Sequence, residues 1–232
     1  MRGIFNLRPQ CPQYSHTWDV GILLNYVAKL EPIESISLKL LTYKLVCLCA
    51  VTTGQRAQTL SLFRTTNMIV DNGSVKVVIT DPIKTSQPGK PQPVVTLSPY
   101  SEDKALCVIR TLSVYIKRTK AYRYEKTKLF LSYVPPFKEV CTATISRWLK
   151  EALSNAGIDT SVFKAHSVRA ASTSAAADGG VPIDTILRTA GWTNAGTFAK
   201  FYRRSTHSHS DSGRDENAFA NSVLATGGSR NE

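Results

Sequence analysis

Residues 37–54, SLKLLTYKLVCLCAVTTG, are apolar on nearly every side when wound at 3.6 residues per turn. A helix without a polar face has to be enclosed, so this one is predicted to be buried, with Gly54 as its stop. The chain can supply the enclosure: 232 residues, 42% hydrophobic and 20% charged, allow a full core.

The flanking segments keep the helical period. Residues 17–30, TWDVGILLNYVAKL, predict a helix capped by Thr17, and RAQTLSLF, residues 56–63, a short one. The period then changes to two. NMIVDNGSVKVVITD, residues 67–81, reads as strand, Asn-Gly turn and strand, and a third strand is expected in PVVTL, residues 93–97. Helix returns over residues 102–122, and again behind Thr142 as cap until Gly157. Residues 164–205 predict three short helices punctuated by Gly179-Gly180 and Gly191. The class is mostly α with a small antiparallel β-sheet, α+β by strict counting. Three parts are expected: an irregular segment 1–17, one domain over 18–205, and a linker with a small amphipathic helix over 206–232.

No apolar run reaches the roughly 18–20 residues that cross a bilayer, and the first residues lack a secretory apolar region. Five cysteines, odd in number and mostly in apolar stretches, suggest reduced, buried thiols and an intracellular protein. His207 and His209 have no third ligand near them in sequence, so no metal is expected. Charge is more informative. A net +12 with a pI near 9.6 points to an anionic partner, of which nucleic acid is the commonest. The basic run from Lys117 to Lys128 reads as a solvated face able to touch a phosphate backbone.

Several polar side chains stand at intervals that a core does not need. Arg56 opens a helix after Gly54, where backbone N–H groups favour an anion. Lys84 lies in a turn beyond the hairpin. His166 and Arg169 are one helical turn apart, Trp192 follows Gly191, and Tyr202 is ten residues further. Together they offer what attack on a phosphodiester requires: forked cations for the phosphate oxygens, a proton donor and a nucleophile. Singly, each has a plainer role, as solvated turn, satisfied histidine or core aromatic.

The order Arg, Lys, His-x-x-Arg, Trp, Tyr, carried by TTGQR, IKT, AHSVR and AGWTN…FYRR, resembles the tyrosine recombinases over about residues 18–205. The wording TFAKFYRR is similar to recombinases of eukaryotic mobile elements of the DIRS and Crypton kinds. The resemblance implies a tyrosine recombinase catalytic domain that cleaves and exchanges double-stranded DNA through a 3′-phosphotyrosine, with no cofactor. It implies Tyr202 as nucleophile, Arg56 and Arg169 as phosphate clamps assisted by His166 and Trp192, and Lys84 as acid. Lys90, Thr142, Thr144 and Lys164 are further DNA-contact candidates, because the helix opening at Thr142 resembles the groove-reading element of the family.

Three departures stand out. Thr59 occupies a position that is often acidic, Ala170 one that is often His, and the Trp192–Tyr202 interval places Phe201 at the usual nucleophile offset. The resemblance also implies an N-terminal DNA-clamping domain that the sequence does not include, so a catalytic-domain fragment or truncated relative is expected. In ENAFANSVLA, Phe219, Val223 and Leu224 make a narrow apolar stripe. It is expected to dock on a neighbouring subunit in a tetramer on DNA, so that removing residues 206–232 impairs assembly and leaves the fold intact. The expected location is intracellular, nuclear in a eukaryote. The alternatives are a domesticated, non-catalytic DNA-binding module and a type IB topoisomerase-like enzyme.

Overall fold

The computed structural model describes residues 17–83, 86, 89, 92–192 and 217–227. Its helices are α1 (Val20–Ala28), α2 (Leu38–Thr53), α3 (Ala57–Ser61), α4 (Val108–Thr119), α5 (Thr142–Asn155), α6 (Ser167–Asp178), α7 (Ile183–Ala190) and α8 (Ala218–Ala225). One sheet holds β1 (Met68–Asp71), β2 (Ser74–Val78) and β3 (Val94–Leu97). Helix α2 is the axle. Every residue from Leu41 to Thr53 is buried, and α1, α4, α5, α6, α8 and β3 all pack on it. Its polar groups are satisfied locally: Thr42, Thr52 and Thr53 return their hydroxyls to the carbonyls of Leu38, Leu48 and Cys49. Ser37 caps its start, and Gly54, at φ 59°, closes its end in the left-handed region.

The sheet is antiparallel throughout, in the order β1-β2-β3. Asn72 and Gly73 both have positive φ (48° and 79°), the geometry that two-residue hairpins require, and register runs from Met68 opposite Val77 to Asp71 opposite Ser74. Val75, Val77, Val95 and Leu97 bury one face against the helices.

Some expectations need correction. Asp19, not Thr17, caps α1, because its carboxylate accepts the Gly21 N–H at 2.9 Å; Trp18 is thereby left outside the helix and turned inward. Thr142 is the first residue of α5 rather than its cap. Cys141 holds the cap position, and the Thr142 hydroxyl pairs with Ser61 Oγ at 2.9 Å instead. The helix expected over 102–122 is divided. Asp103 caps a 3₁₀ turn (Lys104–Leu106), and extended Cys107 resets the chain before α4. Cys47, Cys49 and Cys107 are buried as expected, whereas Cys141 is exposed; Cys11 lies outside the described residues. The basic run is only partly a solvated face. Arg118 donates from Nη1 to Ile36 O at 2.6 Å, and Arg123 donates from both terminal nitrogens to Lys128 O and Leu129 O at 2.9 and 2.7 Å.

The C-terminal helix is seated on its own chain. Phe219, Ala220, Val223 and Leu224 are buried as α8 packs on α2 and α6, and a Cβ on Gly179 would run into Ser222. The stripe read from the sequence is therefore covered by this chain's own core, an arrangement that speaks against a fold indifferent to its removal. Burial of a Phe, Val or Leu side chain contributes about 1.5–3 kcal/mol. Among the described residues no helix is long and apolar enough to cross a membrane, and no three His, Cys, Asp or Glu side chains group as metal ligands.

Candidate DNA-cleavage site

Two turns of chain meet here: the α2–α3 turn with Gly54, Gln55 and Arg56, and the end of α7 with Thr189, Ala190, Gly191 and Trp192. Helix α6 supplies the side chain that joins them. Arg169 is 9% exposed, and its Nη1 donates to Gly54 O at 2.8 Å and to Ala190 O at 2.6 Å. The guanidinium carbon lies 4.6 Å from the centroid of the Trp192 ring, a cation–π stack. The turns approach this closely because glycine permits it. A Cβ on Gly54 would meet Ala190 Cβ at 3.2 Å and Phe219 at 3.3 Å, quite apart from the positive φ.

Arg56 stands at the N-cap position of α3 in extended conformation (φ −75°, ψ 152°), half-buried. Burial lowers its guanidinium pKa, and among the described residues its side chain has neither an acidic partner nor a hydrogen bond. The charge is partly stripped of water with no counterion among the described residues, a setting that favours an anion. His166 is at the N-cap position of α6, one turn before Arg169, but it is exposed and stands at the rim where Arg169 is inside. Desolvation of its ring, and then the charge of Lys164, lower its pKa below the ordinary imidazole value, so the neutral form prevails at pH 7. Thr59 is buried within α3, and Ala170 is half-buried behind Arg169.

The structure thus brings Arg56, Arg169 and Trp192 to one junction, with His166 at its edge. Lys84, Lys90 and Tyr202 lie outside the described residues, as do Phe201, His207 and His209. Lys164 is exposed just before α6. Thr144 is half-buried in the first turn of α5, which packs on α3, and its hydroxyl is 3.7 Å from Cys141 Sγ. The Thr144 backbone N–H, then that hydroxyl and the Ala143 backbone N–H, lower the thiol pKa of Cys141.

Sequence reasoning missed the residues that assemble the junction. Gln55, only 8% exposed, donates from Nε2 to Thr189 O at 2.7 Å, and Trp18 donates its indole N–H to Ser167 Oγ at 2.8 Å, directly beside His166. A polar residue between Gly54 and Arg56 was the signal available for Gln55. Nothing local marks Trp18, whose partner is 149 residues away.

Residues 24–209 match the model of the phage integrase family, and the chain belongs to that family of tyrosine recombinases. No curated protein matches the sequence. Among solved structures, XerH site-specific recombinase bound to difH substrate, in a pre-cleavage complex, aligns with a TM-score of 0.62 at 14% identity, covering 83% of this chain and 50% of that one. XerA recombinase gives 0.59 at 16%, covering 85% and 61%. A lambda integrase(75-356) dimer bound to a COC′ core site gives 0.52 at 18%, covering 89% and 65%. The chain spans about half to two thirds of the length of these proteins. At such identities the likeness concerns the fold.

Proposed function

We propose that this chain cleaves and rejoins double-stranded DNA through a 3′-phosphotyrosine, as the catalytic part of a site-specific recombinase or integrase. The observation that carries the reading is the junction itself: the turn that holds Arg56 meets Arg169 and Trp192, which follow it by more than a hundred residues.

In this scheme the two guanidinium groups hold the non-bridging oxygens of the scissile phosphate, where charge grows in the transition state. Tyr202 Oη forms a bond to phosphorus as the bond to the 5′-oxygen breaks, and Lys84 protonates that leaving oxygen. His166, kept neutral by its lowered pKa, is in the form that accepts the phenol proton. A 5′-hydroxyl from a second strand then reverses the step and releases the tyrosine, so the phosphodiester energy is conserved and no cofactor enters. Lys90, Thr142, Thr144 and Lys164 are assigned to the DNA contacts.

The finer reading is a recombinase of a mobile element, of the DIRS or Crypton kind, on the wording of residues 197–204. It works as a tetramer on DNA inside the cell, in the nucleus of a eukaryote. Assembly through the C-terminal helix then requires α8 to leave a seat in which Phe219 and Val223 are fully buried, and to take an equivalent seat on a neighbour. Two observations favour a second reading, a non-catalytic DNA-binding module. Thr59 and Ala170 replace supporting polar groups, and Arg169 Nη1 is committed to two carbonyls.

A nicked duplex built from the DNA flanking the coding region separates the two. Cleavage beside the nick lets the short strand diffuse away and traps the covalent adduct. The recombinase reading expects an adduct that Tyr202→Phe abolishes; binding with no adduct from the unaltered chain establishes the module.

A further inference from the structure

Gln55 has no role in the scheme above, yet it lies between its parts. Its amide N–H reaches Thr189 O at 2.7 Å, across 134 residues of sequence, and its side chain is buried. A Cβ on Gly191 would lie 3.6 to 3.8 Å from the Gln55 amide atoms, so the Gly191 turn rests directly on that amide. On one side Gln55 is bonded to Arg56, whose side chain has no hydrogen bond among the described residues and whose position is therefore set by its backbone. On the other side Thr189 is three residues before Trp192. One connection between the turn of Arg56 and the turn of Trp192 therefore runs through this side chain.

Arg169 makes the other cross-tie, from Gly54 O to Ala190 O, with a single terminal nitrogen. A guanidinium that also engages a phosphate diester shares its charge with the new acceptor, which weakens its hold on neutral carbonyls. A second, uncharged tie would keep the two turns in register at that moment. We propose that Gln55 is this tie: a positioning residue that holds the Arg56 turn against the Trp192 turn while Arg169 binds the scissile phosphate. The proposal rests on the DNA-cleavage reading for its catalytic consequence, but not for the geometry it assigns.

The test compares the full chain with Gln55→Met, which keeps length and volume and removes the donor. Three quantities are read at a temperature where both proteins are folded by circular dichroism. They are affinity for the nicked duplex, the single-turnover rate of adduct formation at saturating DNA, and the ¹⁹F spectrum of protein labelled with 5-fluorotryptophan. The chain has three tryptophans, and Trp192→Phe identifies the resonance of Trp192. Expected are affinity within about twofold, an adduct rate lowered about 10- to 100-fold, and a displaced Trp192 resonance with that of Trp148 unmoved. An unchanged rate with an unchanged Trp192 resonance overturns the proposal. So does equal displacement of all three resonances, which signals general loosening. If the unaltered chain forms no adduct, the cleavage reading fails, while the Trp192 resonance still decides whether Gln55 positions that turn.

Discussion

Two buried cationic clusters of this protein are built in opposite ways. Behind α2, Lys44 is completely buried and donates to Glu31 at 2.8 Å and to Leu30 O at 2.9 Å; Arg110 forks onto the same carboxylate at 2.9 and 3.2 Å. Burial pushes the Glu31 carboxyl up, but hydrogen bonds from Lys44 and Arg110 hold it below its ordinary value, while desolvation lowers Lys44. The Glu31 hydrogen bond raises the guanidinium pKa of Arg110. At the other end of α2, burial lowers that of Arg56, which has no carboxylate partner among the described residues. The first cluster brings its own counterion and serves the fold. The second holds charge ready for an anion from outside, and in our reading that anion is the scissile phosphate.

The contrast can be broken first through the helix the clusters share and then by substitutions that act on one cluster and spare the other. The largest effect on stability is expected from ending the chain at residue 205. Loss of buried Phe219, Val223 and Leu224 should cost roughly 5 kcal/mol or more in urea unfolding, because α8 closes over both clusters' common helix. A truncated chain of unchanged stability would show that α8 is a detachable tail. Next is Glu31→Ala, which leaves Lys44 buried without its counterion. Unfolding free energy should fall by about 3–5 kcal/mol, and adduct formation per folded molecule should be unchanged. Arg56→Gln should do the reverse, with little loss of stability and a cleavage rate lower by about 10²–10³-fold.

Smaller effects sharpen the comparison. Trp18→Phe removes the indole donor to Ser167 and should cost about 1 kcal/mol in the same unfolding assay, with a change in His166 titration followed by NMR. The pH dependence of stability should follow Glu31, whose folded pKa is depressed. Its contribution is complete above the unfolded carboxylate value of about 4.5 and is lost as pH falls through the lower, folded value. Acid titration of Glu31→Gln should lack that loss.

What could be seen in the sequence were features with a local cause. The apolar period of α2, the Asn72-Gly73 hairpin and the glycine stops at Gly54 and Gly191 each follow from a few neighbouring residues, and each is present. So is the meeting of the boxes, in that Arg169 bonds the turn from which Arg56 projects. What could not be seen were pairings across the chain. Lys44 is a charged residue in a largely apolar helix, and its partner Glu31 is in the preceding loop. Arg118 reads as surface charge because the carbonyl that captures it, Ile36 O, is 82 residues away and placed only by tertiary structure. Helix α8 shows an amphipathic stripe, and a stripe does not say which chain covers it. The caps at Asp19 and Cys141 differ from expectation by one or two residues, the scale on which competing polar side chains decide where a helix begins.

The most direct measurement is the covalent map of a trapped complex. The chain is incubated with the nicked duplex, digested with nuclease and trypsin, and its peptides are weighed. The account predicts a nucleotide 3′-phosphate on Tyr202 alone, absent when Arg56 or Arg169 is replaced. A nucleotide on another residue, or none on a chain that binds the duplex, contradicts it.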